Sequence, residues 1–337
     1  MTYVSIGDMA RSFQLRRHNV ELQKHLTTLT EELTTGVKSD IAETVSGDFK
    51  ALAGIEHSLK LLDSYRTATS EAAIFAETLQ DILGTVQDAA AEIAPALLSA
   101  GTTGGAQLVE TTTRDARQKF DSVIAALNTQ IADRFLLSGA ATDQRPLGAP
   151  QDILDALLLA TAGQTTAAGV ISTVQAWFDA PPGSGGFADT IYGGAGTPSA
   201  VTIGPNETAT LDVTALDPTL IDTLKGMALA ALVVEDVLPG DDPGRALLSR
   251  TAGSMLLASN SDLASLRARV GTVEARIADS ADRNAAQATA LGIARTGLIA
   301  ADPYETASGL EAIQTQLETL YTITARLSRL SLADFLR

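Results

Sequence analysis

The chain has 337 residues, a net charge of -16, no cysteine and only 4% aromatic residues. This length allows two or three domains with ample core, while zero cysteine excludes disulfide frameworks, thiolate metal sites and cysteine nucleophiles. An acidic chain with no basic run is a poor match for phosphate backbones, and no stretch approaches about 18 continuous apolar residues, so no membrane-spanning segment is expected.

The first segment, Met1–Gly36, carries Arg11, Arg16, Arg17 and Lys24 among scattered leucines. It has neither a compact apolar run nor a small-residue cleavage site, so it is not expected to be a secretory signal peptide. Leu15, Leu22 and Leu29 are seven apart, as are Leu26 and Leu33, which places them at the a and d positions of a heptad helix with Asn19 as a polar member. Ile55, Leu59, Leu62, Ile74, Leu79, Ile82 and Val86 mark a second long helix, expected to end around Pro95 and Gly101–Gly105. A third is predicted from Gln107 to Ser138 on Leu108, Ala116, Phe120, Val123, Leu127 and Ile131, about 45–50 Å long at 1.5 Å per residue.

The middle has a different texture. All of the 11 prolines except Pro95 and Pro303 lie between Pro146 and Pro243, and between Ala141 and Pro243 the only basic residues are Arg145 and Lys225 in an otherwise acidic interval. Short helices are predicted over Gln151–Ala160 and Thr166–Phe178, and a loop over Pro181–Gly196. Val201–Ile203 and Thr210–Val213 read as a β-hairpin around Gly204-Pro205-Asn206-Glu207. Asp217 then caps a helix running to about Leu238, with Pro218 in its first turn. Trp177 and Phe178 are expected to form a small core belonging to this insertion.

A long returning helix is predicted from about Pro243 to Arg295, with Leu263, Leu266, Val270, Val273 and Ile277 on one face. Asp302, Pro303 and Glu305 start a last helix, on which Leu310, Ile313, Leu317, Leu320, Thr324 and Leu327 alternate three and four apart. A narrow apolar stripe needs a partner, and the stripe at the opposite end of the chain, or the same helices in neighbouring copies, can supply it. The expected fold class is mainly α, a long antiparallel bundle formed by both chain ends with a small inserted α/β domain. Its expected divisions are an arm over 1–45, a rod over 46–139, an insertion over 140–242, a returning rod over 243–300 and an arm over 301–337.

The residues offer no catalytic apparatus. His18, Glu21 and His25 share a helical face but lack a zinc spacing, and polar residues flanking a coiled coil explain them. The chain contains no H-E-x-x-H, G-x-S-x-G or phosphate-loop pattern, and Gly183–Gly186 and Gly193–Gly196 do not join a strand to a helix. With His57 the last histidine, a Ser-His-Asp triad would need its base from the N-terminal rod. The pairs Asp241–Asp242 and Glu235–Asp236 are read as helix-end residues. No catalytic, cofactor or metal site is expected.

Several segments nevertheless carry a resemblance. Leu29-Thr30-Glu31-Glu32-Leu33-Thr34-Thr35-Gly36 resembles the end of the first helix of the bacterial flagellin family, with Val37 intervening before Lys38. Asn128 followed by Arg134-Phe135-Leu136-Leu137-Ser138-Gly139 is similar to that family's signature where rod passes into variable domain. Arg267-Ala268-Arg269-Val270-Gly271 resembles an element of its returning rod, and Asp302-Pro303-Tyr304-Glu305 the start of its last helix. The ending Ser328-Arg329-Leu330-Ser331-Leu332-Ala333-Asp334-Phe335-Leu336 is most like the hook–filament junction branch.

The resemblance implies a structural flagellar subunit without cofactors, exported without a cleaved signal peptide to the extracellular flagellum. It implies a homo-oligomeric ring, contacts with a hook-side junction protein and with flagellin, and a cytoplasmic export chaperone at the C-terminal helix. Neither nucleic acid binding nor membrane insertion is expected. The self-packing residues expected from the heptads are Leu15, Leu22, Leu26, Leu29, Leu33, Leu310, Ile313, Leu317, Leu320, Leu327 and Leu330. A filament-forming flagellin, an enzymatic insertion and a secreted coiled-coil binding module are the other readings.

Overall fold

The computed structural model describes residues 6–103 and 105–335, with side chains over 10–103 and 105–326. Its elements in chain order are α1 (Ile6–Thr35), α2 (Ile41–Thr44), α3 (Lys50–Thr103), α4 (Ala106–Leu127), β1 (Gln130–Ile131), β2 (Arg134–Phe135), α5 (Pro150–Thr161), α6 (Ala167–Phe178), α7 (Phe187–Thr190), β3 (Val201–Gly204), β4 (Glu207–Ala209), α8 (Pro218–Val234), α9 (Asp242–Ile299) and α10 (Pro303–Phe335). The fold is therefore mainly α, with two small antiparallel hairpins. The chain divides into two compact units, one of Met1–Asp63 with Ala286–Arg337 and the other of Ser64–Ala285.

The larger unit is built on one continuous core. Leu83, Leu97, Phe120, Leu127, Leu154, Phe187, Leu229 and Leu256 all belong to it, so the residues after Gly139 share a core with α3, α4 and α9. Trp177, Phe178 and Phe187 form edge-on and tilted ring contacts with centroids 4.9–5.8 Å apart. They too lie within or against that core rather than forming a separate one. Because α8 is buried around nearly its whole circumference, it acts as the central pillar of this unit.

Three predicted boundaries are decided by packing. The helix expected to end around Pro95 and Gly101–Gly105 passes through Pro95 and ends at Thr103. Ile93, Ala94, Leu97 and Ala100 are almost wholly buried there, and that packing outweighs the roughly 3 kcal/mol penalty of an interior proline. Conversely, the helix expected to reach Ser138 stops at Leu127. Asn128 caps it, and the Asn128 Oδ1 accepts the Leu147 N–H at 2.9 Å, which ties the helix end to the insertion. The second hairpin uses Glu207–Ala209 as its return strand rather than Thr210–Val213. It docks on α9, where Ser280 Oγ and Asn284 Nδ2 both donate to the Ile203 carbonyl at 2.9 and 2.8 Å.

Hairpin β1–β2 turns through Ala132 and Asp133, both with positive φ (48° and 61°), between the paired Ile131 and Arg134. A two-residue turn of this kind favours Asn-Gly, and each L-residue held in the left-handed region costs about 1–2 kcal/mol. Ala132→Asn with Asp133→Gly is expected to raise stability by about 1–2 kcal/mol, measured as a higher urea midpoint with an unchanged slope. A few residues on, Gly139 has φ +71°, and a Cβ there would lie 2.5 Å from the Gly196 carbonyl oxygen and 2.6 Å from that of Ala195. Only glycine fits where the rod enters the insertion.

The insertion holds two internal ion sites of its own making. The amides of Gly183 and Gly185 donate to Asp189 at 2.7–2.9 Å, so the glycine-rich loop cradles the chain's own carboxylate. Those backbone bonds hold the Asp189 carboxyl below its usual range. The buried Lys225 amine lies 2.7 Å from both Asp179 and Asp222, which are more than half exposed.

Burial pushes Lys225 down, but the hydrogen bonds and charges of the two aspartates outweigh it and hold the amine above its ordinary value. Lys225→Met should therefore change stability at neutral pH by no more than about 1 kcal/mol, because the aspartates stay solvated. Removing both aspartates strands a buried ammonium and is expected to cost about 3–5 kcal/mol. The raised folded value means that the ion pairs' contribution is complete below the unfolded lysine value near about 10.4 and fades as pH rises through the folded one. Thermal melts of the three proteins between neutral and strongly alkaline pH check this.

Candidate functional site: the paired terminal helices

In the smaller unit α1 packs against α10. Leu22, Leu317 and Leu320 are buried in the seam, and Leu15, Leu26 and Ile313 pack against them half-buried. Leu29 lies over Gly309, whose missing side chain leaves room for its methyl groups at 3.4 Å from an ideal Cβ position. Leu310 is half-buried, whereas Leu33 is 44% exposed. Leu327 and Leu330 lie outside the described side chains. The structure thus gathers most of the heptad leucines along one intrachain seam and leaves Leu33 in water.

One end of the seam is closed by a backbone clasp that heptad spacing does not reveal. Gly36, at φ +70°, turns the chain out of α1, and Val37 forms an isolated antiparallel bridge with Ala300. The Lys38 N–H donates to Ile299 O at 2.9 Å and the Ala301 N–H to Gly36 O at 3.0 Å. Glu32, only 6% exposed, accepts the Ser39 N–H at 2.8 Å. Lys38 Nζ stands 3.8 Å from both Glu32 and Glu305. On the other side Asp302 Oδ1 accepts the Tyr304 and Glu305 amides at 2.8 and 3.2 Å, capping α10. The Thr306 hydroxyl is buried without a partner. The available signals were the glycine that ends α1 and the Asp-Pro that begins α10; the pairing of the two segments was not in either.

These elements pack and position; they carry no reactive constellation. Among the described residues no group of three or more histidine, aspartate or glutamate side chains can hold a metal, and His18, Glu21 and His25 are all exposed. Nor is any described helix long and apolar enough to cross a membrane.

Residues 255–336 match the model of the bacterial flagellin C-terminal helical region. The likeness to flagellins is therefore shown over that C-terminal region, about a quarter of the chain. The match takes in α10 from Pro303 to beyond the seam and the part of α9 that bears Arg267. There Arg267 Nη1 donates to Gln87 Oε1 at 2.7 Å and its carbonyl accepts from Gln80 at 2.8 Å, fastening α9 to α3. A solved structure described as a "putative flagellar hook-associated protein" from Vibrio parahaemolyticus has a TM-score of 0.54 and 13% identity, over 74% of this chain and 98% of that one. At that identity the likeness shows a shared fold. No curated protein matches.

Proposed function

We propose that this chain is a junction subunit between hook and filament, of the hook-associated protein 3 type. It assembles through its terminal helices into a ring that joins a hook-side junction protein to flagellin. The α1–α10 seam with its clasp carries the reading, since it presents both chain ends together as one packing element. The Ser-Leu-Ala-Asp-Phe-Leu ending supports the junction branch over filament flagellin. In this reading the subunit is exported to the extracellular flagellum without a cleaved signal peptide, and a cytoplasmic chaperone covers the C-terminal helix beforehand. Deletion of the gene tests it. Bare hooks with abundant shed flagellin monomer are expected; missing filaments without shed flagellin would instead mark the chain as the filament protein, and normal filaments would overturn both.

The seam is thin, which suits a part that folds fully only on assembly. Three buried leucines contribute about 1.5–3 kcal/mol each, against the ordering entropy of two long helices. Thr27, Thr30, Thr34 and Thr35 turn their hydroxyls onto carbonyls four residues back, as do Thr315, Thr319, Thr322 and Thr324. Such back-bonding slightly weakens a helix. Amides of Leu22–Leu33 in the free monomer are expected to exchange at least a hundredfold faster than those of α8, about 2.7 kcal/mol less protection. Equal protection would overturn folding on assembly.

A further inference from the structure

The larger unit has a cavity of about 200 Å³ between α3 and the two hairpins. Ala72, Phe75, Leu136, Val201 and Ile277 supply its apolar walls, and Glu71, Arg134, Thr142 and Ser199 its polar groups. The Arg134 guanidinium lies 5.4 Å from the Phe75 ring centroid, and among the described residues no carboxylate pairs with it. It is aimed there by the strained Ala132-Asp133 turn. A cavity of about 150 Å³ already accepts benzene, so this one has room for a single aromatic side chain. Its polar groups ask that the ring carry a hydroxyl and have an acidic neighbour.

The same chain displays such a group. Tyr304 is 85% exposed although it is aromatic, and Glu305 beside it keeps a side chain 75% exposed. Exposed tyrosines are frequent anchors of interfaces. We propose that Tyr304 of one copy inserts into this cavity of a second copy. Its ring packs among Phe75, Leu136 and Ile277 while its hydroxyl meets Glu71, Thr142 or Ser199, and Glu305 pairs with Arg134. Knob and hole are different surfaces of one chain, so the contact is head-to-tail and generates a closed ring or an open helical array rather than a two-fold dimer. The inference rests on the assembly reading above and assigns it a specific contact. Leu159, 81% exposed, is the competing knob, but it has no polar tip for the polar groups of the hole.

The absence of cysteine makes the test direct. Full-length Ser308→Cys, which keeps Tyr304 and Glu305, is mixed with full-length Ala140→Cys and joined with a short bismaleimide. Any mixed product is then necessarily between copies. A mixed product is expected, lost on adding Tyr304→Ser and kept with Tyr304→Phe. Tyr304→Ser and the mouth-blocking Ala140→Trp should each raise the concentration for half-maximal assembly about tenfold, with Tyr304→Phe nearer to wild type. Tyr304→Ser alters a water-facing side chain, so its folded monomer should melt as wild type does. Unchanged assembly of Tyr304→Ser overturns this contact and leaves the assembly reading intact. A mixed product from Ala160→Cys in place of Ser308→Cys assigns the hole to Leu159 and also overturns it. No association between wild-type copies overturns both readings.

Discussion

Leu320→Asp is expected to leave the chain monomeric under conditions where wild type assembles, without altering the melting of the larger unit. Leu320 is one of three leucines buried in the α1–α10 seam. The substitution removes about 1.5–3 kcal/mol of apolar burial and sets a carboxylate facing Leu22 and Leu317, where desolvation adds several kcal/mol more. The seam has no reserve to absorb this, so the helices separate. The larger unit keeps its own core around Phe120, Leu154 and Leu229. Sedimentation for assembly and a thermal melt for the larger unit measure the two effects separately. Normal assembly of the variant would show that the seam is not the assembling element. Leu33→Asp is the informative companion: Leu33 is largely exposed within one chain, so a block to assembly there identifies it as a contact between copies.

The second large effect is expected at the crossing of α3 and α9. A Cβ on Gly253 would lie 2.7 Å from Ala94 O and 2.9 Å from both the nitrogen and Cγ of Leu98. One turn along, a Cβ on Gly101 would meet Ala246 O at 2.4 Å. Ser249 Oγ donates to Leu97 O at 2.9 Å between them. Two backbones therefore approach over a stripe of small residues, with Ala94, Ala100 and Ala252 wholly buried. Gly253→Ala is expected to cost about 1–3 kcal/mol through overpacking. Gly253→Leu, which must force the helices apart over this length, should cost more than about 4 kcal/mol and abolish cooperative unfolding of the larger unit. Urea unfolding followed by circular dichroism measures both; a Gly253→Leu midpoint equal to wild type would show that the crossing can yield.

The long helices were legible because each carries an apolar stripe at helical spacing over many turns, as in Leu79, Ile82, Val86 or Phe120, Val123, Leu127. Boundaries were less so. Pro95 carries a strong local signal for a helix end, yet the burial of Ala94 and Leu97 overrides it. Asn128 opens the segment that resembles the rod-to-insertion signature, yet helical periodicity carried the expected helix on to Ser138, and it is the Leu147 amide brought against Asn128 that fixes the end. The separate insertion core expected from Trp177 and Phe178 dissolves into the main one, because α8 lies between α4 and the short helices and serves both. At the terminal pair, heptad spacing pointed to Leu22, Leu317 and Leu320, which are buried, and equally to Leu33, which is exposed. It said nothing of Glu32 accepting Ser39, nor of Lys38 and Ala301 closing the end through backbone hydrogen bonds.

By itself the sequence determined the helical class, the acidic and proline-rich character of the middle, the seam leucines and the resemblance to flagellins, since periodicity, charge and short motifs are local properties of a chain. Tertiary structure alone decided where α4 stops, that one core serves rod and insertion, that Gly36–Lys38 grips Ile299–Ala301, and that Arg134 stands over Phe75 beside an open cavity. Each of those joins residues far apart in the chain, and their proximity depends on how whole helices pack rather than on any local preference.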